Sequence, residues 1–298
     1  MGFSQRLTQA AALVETRLTA ALDEMAGAGS PERLVAAMRH GALGGGKRLR
    51  PFLVLESARL FGVQDEAALE AAAALECVHC YSLVHDDLPA MDDDDLRRGK
   101  PTVHKAFDEW TAVLAGDALL TLAFELLASP AAHPDAQVRC ELVAGLARAA
   151  GAAGMAGGQC LDLEAEKLGH PASADLPHIE RLQAMKTGAL IRYACEAGAI
   201  LGRAEREKRR ALASFGALLG AAFQLADDLL DSEGNAALMG KAARKDAGKA
   251  TLVALLGVPA ASERLRALEV QAVAALALFG ADADVLRAAA RFVVQRRS

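Results

Sequence analysis

Residues 81–99, YSLVHDDLPAMDDDDLRRG, organise the chain because they place six aspartates and two arginines after an apolar, alanine-rich segment, residues 66–85. Two carboxylates about 4 Å apart repel each other by about 1 kcal/mol in water and about 4 kcal/mol near a protein surface. A divalent cation removes this repulsion. Mg²⁺ prefers oxygen ligands and is bound by carboxylates together with the phosphate oxygens of a substrate. The run therefore indicates a magnesium site. The alternative is a solvated acidic loop, which charge runs more often form.

A second acidic element occurs in the other half of the chain, where residues 223–231 read FQLADDLLD. Its apolar residues predict a packed helix. Asp227 and Asp231 then lie about 40° apart on one helix face. Carboxylates in such surroundings should be paired or should hold a metal ion. Two metal-loaded aspartate clusters that face each other would grip a polyanion between them.

In these two elements the chain resembles the trans-isoprenyl diphosphate synthases, most closely the bacterial farnesyl type. Asp86-Asp87-x4-Asp92, followed by two arginines, is similar to the family's first aspartate-rich motif. Asp227-Asp228-x2-Asp231 is similar to its second. The motifs occur in the family's order, and the resemblance extends from Gly44 to the C-terminal QRRS.

Composition limits both the fold and the partners. The chain has 298 residues, is 53% hydrophobic and only 4% aromatic, and is rich in alanine, so helices are favoured throughout. We expect an all-α protein with a single domain over residues 1–298. The resemblance implies a helical bundle of the isoprenoid-synthase type around a deep central cavity. The net charge of −5 argues against a nucleic-acid partner.

Cysteines and the N-terminal segment bear on localisation. The five cysteines are odd in number and scattered, which suits reduced cytoplasmic thiols better than a disulfide framework. Residues 1–18 lack the apolar core of a signal peptide. No run of about 20 uncharged apolar residues exists, so we expect no membrane span and a cytoplasmic protein.

Residues 41–51, GALGGGKRLRP, form a glycine-rich basic stretch. It nearly fits a nucleotide-binding P-loop, but Arg48 stands where Ser or Thr should bind magnesium, and no strand precedes it. Glycines let backbone N–H groups converge on an anion, and we expect Lys47, Arg48 and Arg50 to add positive charge. The alternative is a flexible surface turn.

The resemblance implies a role for each matching residue. Isopentenyl diphosphate would be bound by Gly46, Lys47, Arg50, His79 and Arg98. The allylic diphosphate would be bound by Arg97, Lys186, Thr187, Gln224 and Lys241. Three Mg²⁺ ions, with Mn²⁺ as a possible substitute, would be bound by Asp86, Asp87, Asp92, Asp227 and Asp231. In the catalytic set, Asp86, Asp87, Asp92 and Asp227 are joined by Asp228, which acts through bound water, and by Arg97, Lys186 and Lys241.

Other interpretations of single residues stay open. A lone histidine such as His79 on an apolar helix is usually a packed residue, and Lys186 alone could be a snorkelling lysine. Pro89 cannot continue a straight helix, so we expect a bend that returns Asp92 to the side of Asp86. Lys241 lies in a polar, glycine-rich stretch that resembles a lid closing over phosphate.

The chemistry that the resemblance implies is head-to-tail condensation of allylic diphosphates with isopentenyl diphosphate by ionisation, condensation and elimination. Tyr81 and Ser82 match the chain-length positions and imply a fifteen-carbon product, although helix geometry places Tyr81 about 140° from the face of Asp86. Alternatives are a geranylgeranyl or geranyl diphosphate synthase and, more remotely, a non-catalytic subunit of a heteromeric synthase. The motif typical of terpene cyclases, rich in Asn and Ser, is not found. A homodimer is also implied by the resemblance.

Overall fold

The computed structural model describes residues 2–169, 175–237 and 251–295 of the chain. Helices account for most of these residues, and the prediction of an all-α protein is confirmed. Among the described residues, the strands are a two-residue antiparallel pair, β1 (Leu96–Arg97) and β2 (Lys100–Pro101), which the sequence did not predict. The predicted lysine-bearing lid and the C-terminal arginines lie outside the described residues.

The chain divides into two compact units. The first unit comprises Met1–Ala144 and Ile200–Arg203, and the second comprises Gly145–Ala199 and Ala204–Ser298. Each acidic element therefore belongs to a different unit. The assignment of residues 1–298 to a single domain stays a prediction.

Among the described residues, six helices and the strand pair lie wholly in the first unit. The helices are α1 (Phe3–Gly27), α2 (Glu32–Ala42), α3 (Leu49–Arg59), α4 (Asp65–Asp86), α5 (Val103–Ala106) and α6 (Glu109–Ala128). The central helix is α4, which packs against α6 and α3. Residues 71–78 of α4 are buried without interruption, as expected for a core helix that is apolar on all sides.

Buried charges in the first unit are paired. Arg6 of α1 donates hydrogen bonds to Glu56, and Arg17 donates to Glu70 of α4 at 2.6 Å. A buried carboxylate is tolerated only with such a partner, because its desolvation is costly. These pairs connect α1 to the core and leave the C-terminal end of α4 for the first acidic element.

Two described helices, α4 and α6, are long and apolar enough to cross a membrane by length and composition alone. In α4 67% and in α6 50% of the apolar window is buried inside the protein. Core helices of soluble proteins pass the same test, so the finding is weak evidence for a membrane span.

The second unit contains the long helix that carries the second acidic element. Two helices, α7 (Ala136–Ala150) and α10 (Ala189–Leu201), contribute residues to both units. The other helices of this unit are α8 (Met155–Leu168), α9 (Leu176–Gln183), α11 (Arg206–Ala237), α12 (Leu252–Leu256), α13 (Val258–Ala275) and α14 (Asp284–Gln295). A π-helical turn, Ala184–Gly188, joins α9 to α10 and carries Lys186 and Thr187. Such turns occur frequently at functional sites.

Candidate active site

The first acidic element is a loop that folds back on the end of α4. The backbone N–H of Asp92 donates to the carbonyl of Asp86 at 2.9 Å, and that of Asp94 donates to the carbonyl of Asp87 at 3.2 Å. The bend expected at Pro89 is therefore present, and it brings the backbone of Asp92 beside that of Asp86.

The two adjacent aspartates at the end of α4 have different surroundings. The carboxylate of Asp87 is buried and accepts hydrogen bonds from Arg97, one of them from Nε at 3.0 Å. Burial raises the pKa of Asp87, and the Arg97 guanidinium opposes that rise. Asp86 and Asp92 are only partly buried. The protein thus neutralises Asp87 itself and leaves the two other carboxylates in more open positions.

Arg98 lies against the glycine-rich stretch. Its guanidinium donates to the carbonyl of Gly45. A Cβ atom on Gly46 would lie 2.6 Å from Cζ of Arg98, and Gly46 has φ +118°, so only glycine suits this position. The structure therefore brings together Gly46 and Arg98, two residues predicted to bind isopentenyl diphosphate.

Arg50 and His79 form a second contact in the same part of the first unit. Nη1 of Arg50 lies 3.4 Å from Nε2 of His79. Burial and the neighbouring arginines, Arg50 and Arg98 foremost, hold the pKa of His79 well below its usual value. His79 is therefore neutral near pH 7, and several cations surround it without a described carboxylate on its ring. Such a cluster favours an anion.

Arg48 corrects one expectation from the sequence. Its side chain is buried and does not add charge to the glycine-rich stretch. It donates to Glu76 of α4, to Glu15 of α1 at 2.7 Å and to the carbonyl of Ala42 at 2.6 Å. Because Arg48 lies between Lys47 and Arg50 in sequence, these contacts fix the backbone from which both of those cations project.

The second acidic element repeats the division seen in the first. Asp228 is buried, and its carboxylate accepts from Nε2 of Gln183 at 2.8 Å and from Nε2 of Gln224 at 3.0 Å. Burial raises the pKa of Asp228, and the two amides oppose that rise. Asp227 is partly buried and Asp231 is exposed. Again one aspartate of the element is buried, and the other two are more exposed.

Three residues predicted to bind the allylic diphosphate lie in one region of the second unit. The hydroxyl of Thr187 donates to Oε1 of Gln224 at 2.9 Å, so Gln224 links Thr187 to Asp228. Lys186 forms an ion pair with Asp162 of α8. No firm role was predicted for Asp162, and Gln183 was not predicted as a site residue. Of the other two predicted residues, Arg97 belongs to the first unit and Lys241 lies outside the described residues.

Two glycines position the π-helical turn. A Cβ atom on Gly158 would lie 2.2 Å from the backbone nitrogen of Lys186, and one on Gly220 would lie 2.8 Å from Cα of Gly188. Both distances are shorter than real Cβ contacts, so only glycine lets α8 and α11 approach the turn this closely. Because Gly158 and Gly220 have no Cβ atom, the two helices pack close to the turn and position Lys186 and Thr187.

The predicted chain-length residues lie on α4 before the acidic loop. Tyr81 is partly buried, and its ring packs edge-on against that of His85, with centroids 5.7 Å apart. The hydroxyl of Ser82 donates to the carbonyl of His79 at 2.9 Å. His85 in turn contacts the carbonyl of Val113 on α6 at 3.0 Å. Their effect on product length stays a prediction.

The open aspartates fit a hard cation by their chemistry. Within the described residues, no group of three or more His, Cys, Asp or Glu side chains is arranged to hold a metal ion. Mg²⁺, however, keeps several waters and is bound through one or two carboxylates together with substrate phosphates. Asp86 with Asp92, and Asp227 with Asp231, supply such pairs of carboxylates in partly or fully exposed positions.

Comparisons with known proteins identify the class. The all-helical fold and the two aspartate elements are accompanied by the following matches. The polyprenyl synthetase family model matches residues 31–276. The chain is 47% identical over 271 residues to farnesyl diphosphate synthase of Escherichia coli (strain K12), covering 88% of this chain and 89% of that protein.

A second relative and a solved structure point to the same class of protein. Farnesyl diphosphate synthase of Geobacillus stearothermophilus is 42% identical over 268 residues, covering 89% of this chain and 88% of that protein. A solved structure of an FPP/GFPP synthase from Zymomonas mobilis has a TM-score of 0.88 at 48% identity and covers 98% of each chain. The chain belongs to the polyprenyl synthetase family, and the resemblance stated from its sequence is confirmed.

We predict that Arg48→Met lowers the free energy of unfolding by about 3–5 kcal/mol, because it leaves the buried carboxylate of Glu76 without its cation. Denaturant unfolding followed by circular dichroism measures this. Arg210→Met, at an exposed position of α11, is the matched control and should change stability by no more than about 0.5 kcal/mol. Equal effects of the two variants would contradict the role of Arg48.

The lowered pKa of His79 predicts a pH dependence of stability. Below about pH 6.5 the unfolded chain protonates this histidine while the folded chain does not, so stability falls as pH decreases. His79→Gln should therefore lose less stability between pH 7.5 and 5.5 than the unsubstituted chain, measured by denaturant unfolding without substrate. The other histidines contribute equally to both proteins. Parallel pH profiles would contradict the assignment.

Proposed function

We propose that this protein condenses dimethylallyl and geranyl diphosphate with isopentenyl diphosphate, head to tail, to give farnesyl diphosphate and inorganic diphosphate. The observation that supports the proposal is that each acidic element has partly or fully exposed carboxylates and each unit brings predicted diphosphate-binding side chains into contact, in a chain of the polyprenyl synthetase family. We further propose that residues 1–298 act as one synthase domain, since the family match crosses both units.

The proposed metal ligands are the open aspartates. Asp86 and Asp92 would hold Mg²⁺ on one side, with Asp87 supporting them, and Asp227 and Asp231 would hold it on the other. Three Mg²⁺ ions, when bound, supply Lewis acidity that withdraws charge from the leaving diphosphate. Mn²⁺ would be a substitute with the same oxygen ligands.

The side chains of the protein would orient the two substrates separately. Isopentenyl diphosphate would be bound by the cluster of the first unit, in which neutral His79 offers a hydrogen bond rather than a charge. That cluster consists of Gly46, Lys47, Arg50, His79 and Arg98. The allylic diphosphate would be bound through Arg97, Lys186, Thr187, Gln224 and Lys241.

The reaction would then proceed in three steps. The C–O bond of the allylic diphosphate breaks, which leaves an allylic cation and diphosphate. The double bond of isopentenyl diphosphate attacks the cation and forms the new C–C bond. A proton is lost to restore an alkene, and the departing diphosphate is the proposed acceptor. Apolar, alanine-rich helices would exclude the water that otherwise quenches the cation.

The test is chromatography of the products formed by the purified chain alone from dimethylallyl and isopentenyl diphosphates with Mg²⁺. We expect a fifteen-carbon diphosphate as the main product and none after chelation of the metal. A twenty- or ten-carbon main product would favour a geranylgeranyl or geranyl diphosphate synthase. Turnover only after addition of a second, different subunit would favour the non-catalytic subunit.

Tyr81 is proposed as the residue that limits chain length. Replacing its ring with a methyl group should allow a longer chain, so Tyr81→Ala should give products beyond fifteen carbons in the same chromatographic assay. Tyr81→Phe keeps the ring and is the matched control, with an unchanged product. An unchanged fifteen-carbon product from Tyr81→Ala would remove Tyr81 from this role.

We also propose a cytoplasmic homodimer without a membrane span. The exposed side of α6 carries Trp110, Val113 and Leu114, whose side chains are 59%, 41% and 47% exposed. Large apolar side chains grouped on one helix face commonly mark a protein interface. A second copy of this chain is the proposed partner for that face, because the family resemblance implies a dimer.

A further inference from the structure

A cavity of about 660 Å³ lies within the second unit, and no described aspartate of either acidic element lines it. It is bounded by the C-terminal end of α7, by α9, the π-helical turn and α10, and by α11 and α13. Its volume falls in the range of small-molecule sites, about 300–1,000 Å³. Neither Asp227 nor Asp231 is among the described residues that line it.

Most of the described lining is apolar and small. The walls include Ala149, Ala153, Ala184, Ala217, Ala221 and Leu268. Small side chains leave the volume open, and they offer little hydrogen bonding to water. An apolar body therefore gains more by entering this cavity than water does.

The charged residues of the lining are unequal in number. Three arginines face two glutamates. Nε of Arg192 donates to Glu196 at 2.8 Å, and Arg264 donates to Glu180, so each glutamate already has a cation. No described carboxylate pairs with Arg148, which is exposed. The cavity thus carries an excess of one positive charge in a chain whose net charge is −5.

We propose that this cavity is a second binding site for an apolar monoanion, a molecule with one carboxylate or sulfonate head on an apolar body. The body contacts the alanine-rich walls, and the head meets Arg148. A charge-assisted hydrogen bond to a guanidinium is among the stronger polar contacts available to a protein. The carboxylate could belong to a free acid or to a lipid, which share this chemistry.

The position of the cavity indicates what its occupant would influence. Gln183, Ala184, Met185 and Gly188 line it, and Lys186 and Thr187 belong to the same short segment. Gln183 also donates to Asp228. An occupant therefore braces the turn that carries the proposed allylic-diphosphate contacts. This consequence, unlike the binding itself, rests on the proposed function.

Binding is tested with anilinonaphthalene sulfonate, a fluorescent apolar monoanion, and with its neutral analogue N-phenylnaphthylamine. The titration uses the full chain without substrate or metal, so its outcome is independent of the proposed function. We expect saturable binding of the sulfonate, weaker binding of the neutral analogue and no displacement by inorganic diphosphate. Displacement by octanoate and not by vesicles of phosphatidylserine, whose headgroup carries a carboxylate, would indicate a free acid, and the reverse would indicate a lipid.

Two substitutions locate the site. Arg148→Gln should weaken sulfonate binding about tenfold, as expected for the loss of one charge-assisted contact, without affecting the neutral analogue. Ala217→Trp should fill the cavity and abolish binding of both probes. Arg210→Gln, which makes the same charge change at an exposed site outside the lining, should leave binding unchanged.

Arg148 also lies in the last turn of α7, where a cation is favoured by the helix dipole. A purely structural role would change stability without changing probe affinity. Unaltered sulfonate affinity in both Arg148→Gln and Ala217→Trp, or no saturable binding by the unsubstituted chain, would overturn the proposal.

The influence on the turn is tested by steady-state kinetics. Saturating sulfonate should shift the KM for the allylic diphosphate severalfold and leave the KM for isopentenyl diphosphate unchanged. The shift should disappear in Ala217→Trp, which lies outside the proposed catalytic residues. Equal shifts for both substrates, or persistence of the shift in Ala217→Trp, would overturn the coupling.

Discussion

The candidate site depends on one electrostatic constraint. The two adjacent aspartates of each Asp-Asp pair would repel each other in the low dielectric of the protein, so their carboxylates must point in different directions. Neighbouring residues of a helix project about 100° apart, so the two aspartates of each Asp-Asp pair cannot point the same way. In the first pair Asp87 turns inward to Arg97, and in the second Asp228 turns inward to Gln183 and Gln224. The inner aspartate is buried and hydrogen-bonded by the protein, and the outer, more exposed carboxylates are the proposed metal ligands.

Buried contacts also fix the backbone that carries the cationic side chains of the candidate site. Arg48, although it belongs to a basic stretch, is buried against Glu76 and fixes the backbone between Lys47 and Arg50. In the second unit Gly158 and Gly220 let two helices reach the π-helical turn. Exposed cations are mobile, because long side chains retain rotamer freedom. Fixing the backbone beneath them reduces the freedom that binding a diphosphate must remove.

The sequence predicted the elements better than the contacts. Alanine content and helical periodicity predicted the all-α fold, and Pro89 predicted the bend that brings Asp92 beside Asp86. Both features follow from local backbone chemistry. The inward direction of Arg48 and the pairing of Gln183 with Asp228 were missed. They depend on which distant helix lies opposite, which no local pattern encodes. The different roles of Asp86 and Asp87 could have been predicted from the 100° rotation alone.

We propose that the outer aspartates bind metal and that the inner ones support them. The most direct measurement is the number of Mn²⁺ ions bound with inorganic diphosphate, counted by electron paramagnetic resonance in four single Asp→Asn variants. The account predicts fewer bound ions in Asp86→Asn and Asp227→Asn. It predicts an unchanged count but a lower melting temperature in Asp87→Asn and Asp228→Asn. Loss of ions confined to the two inner variants would contradict it.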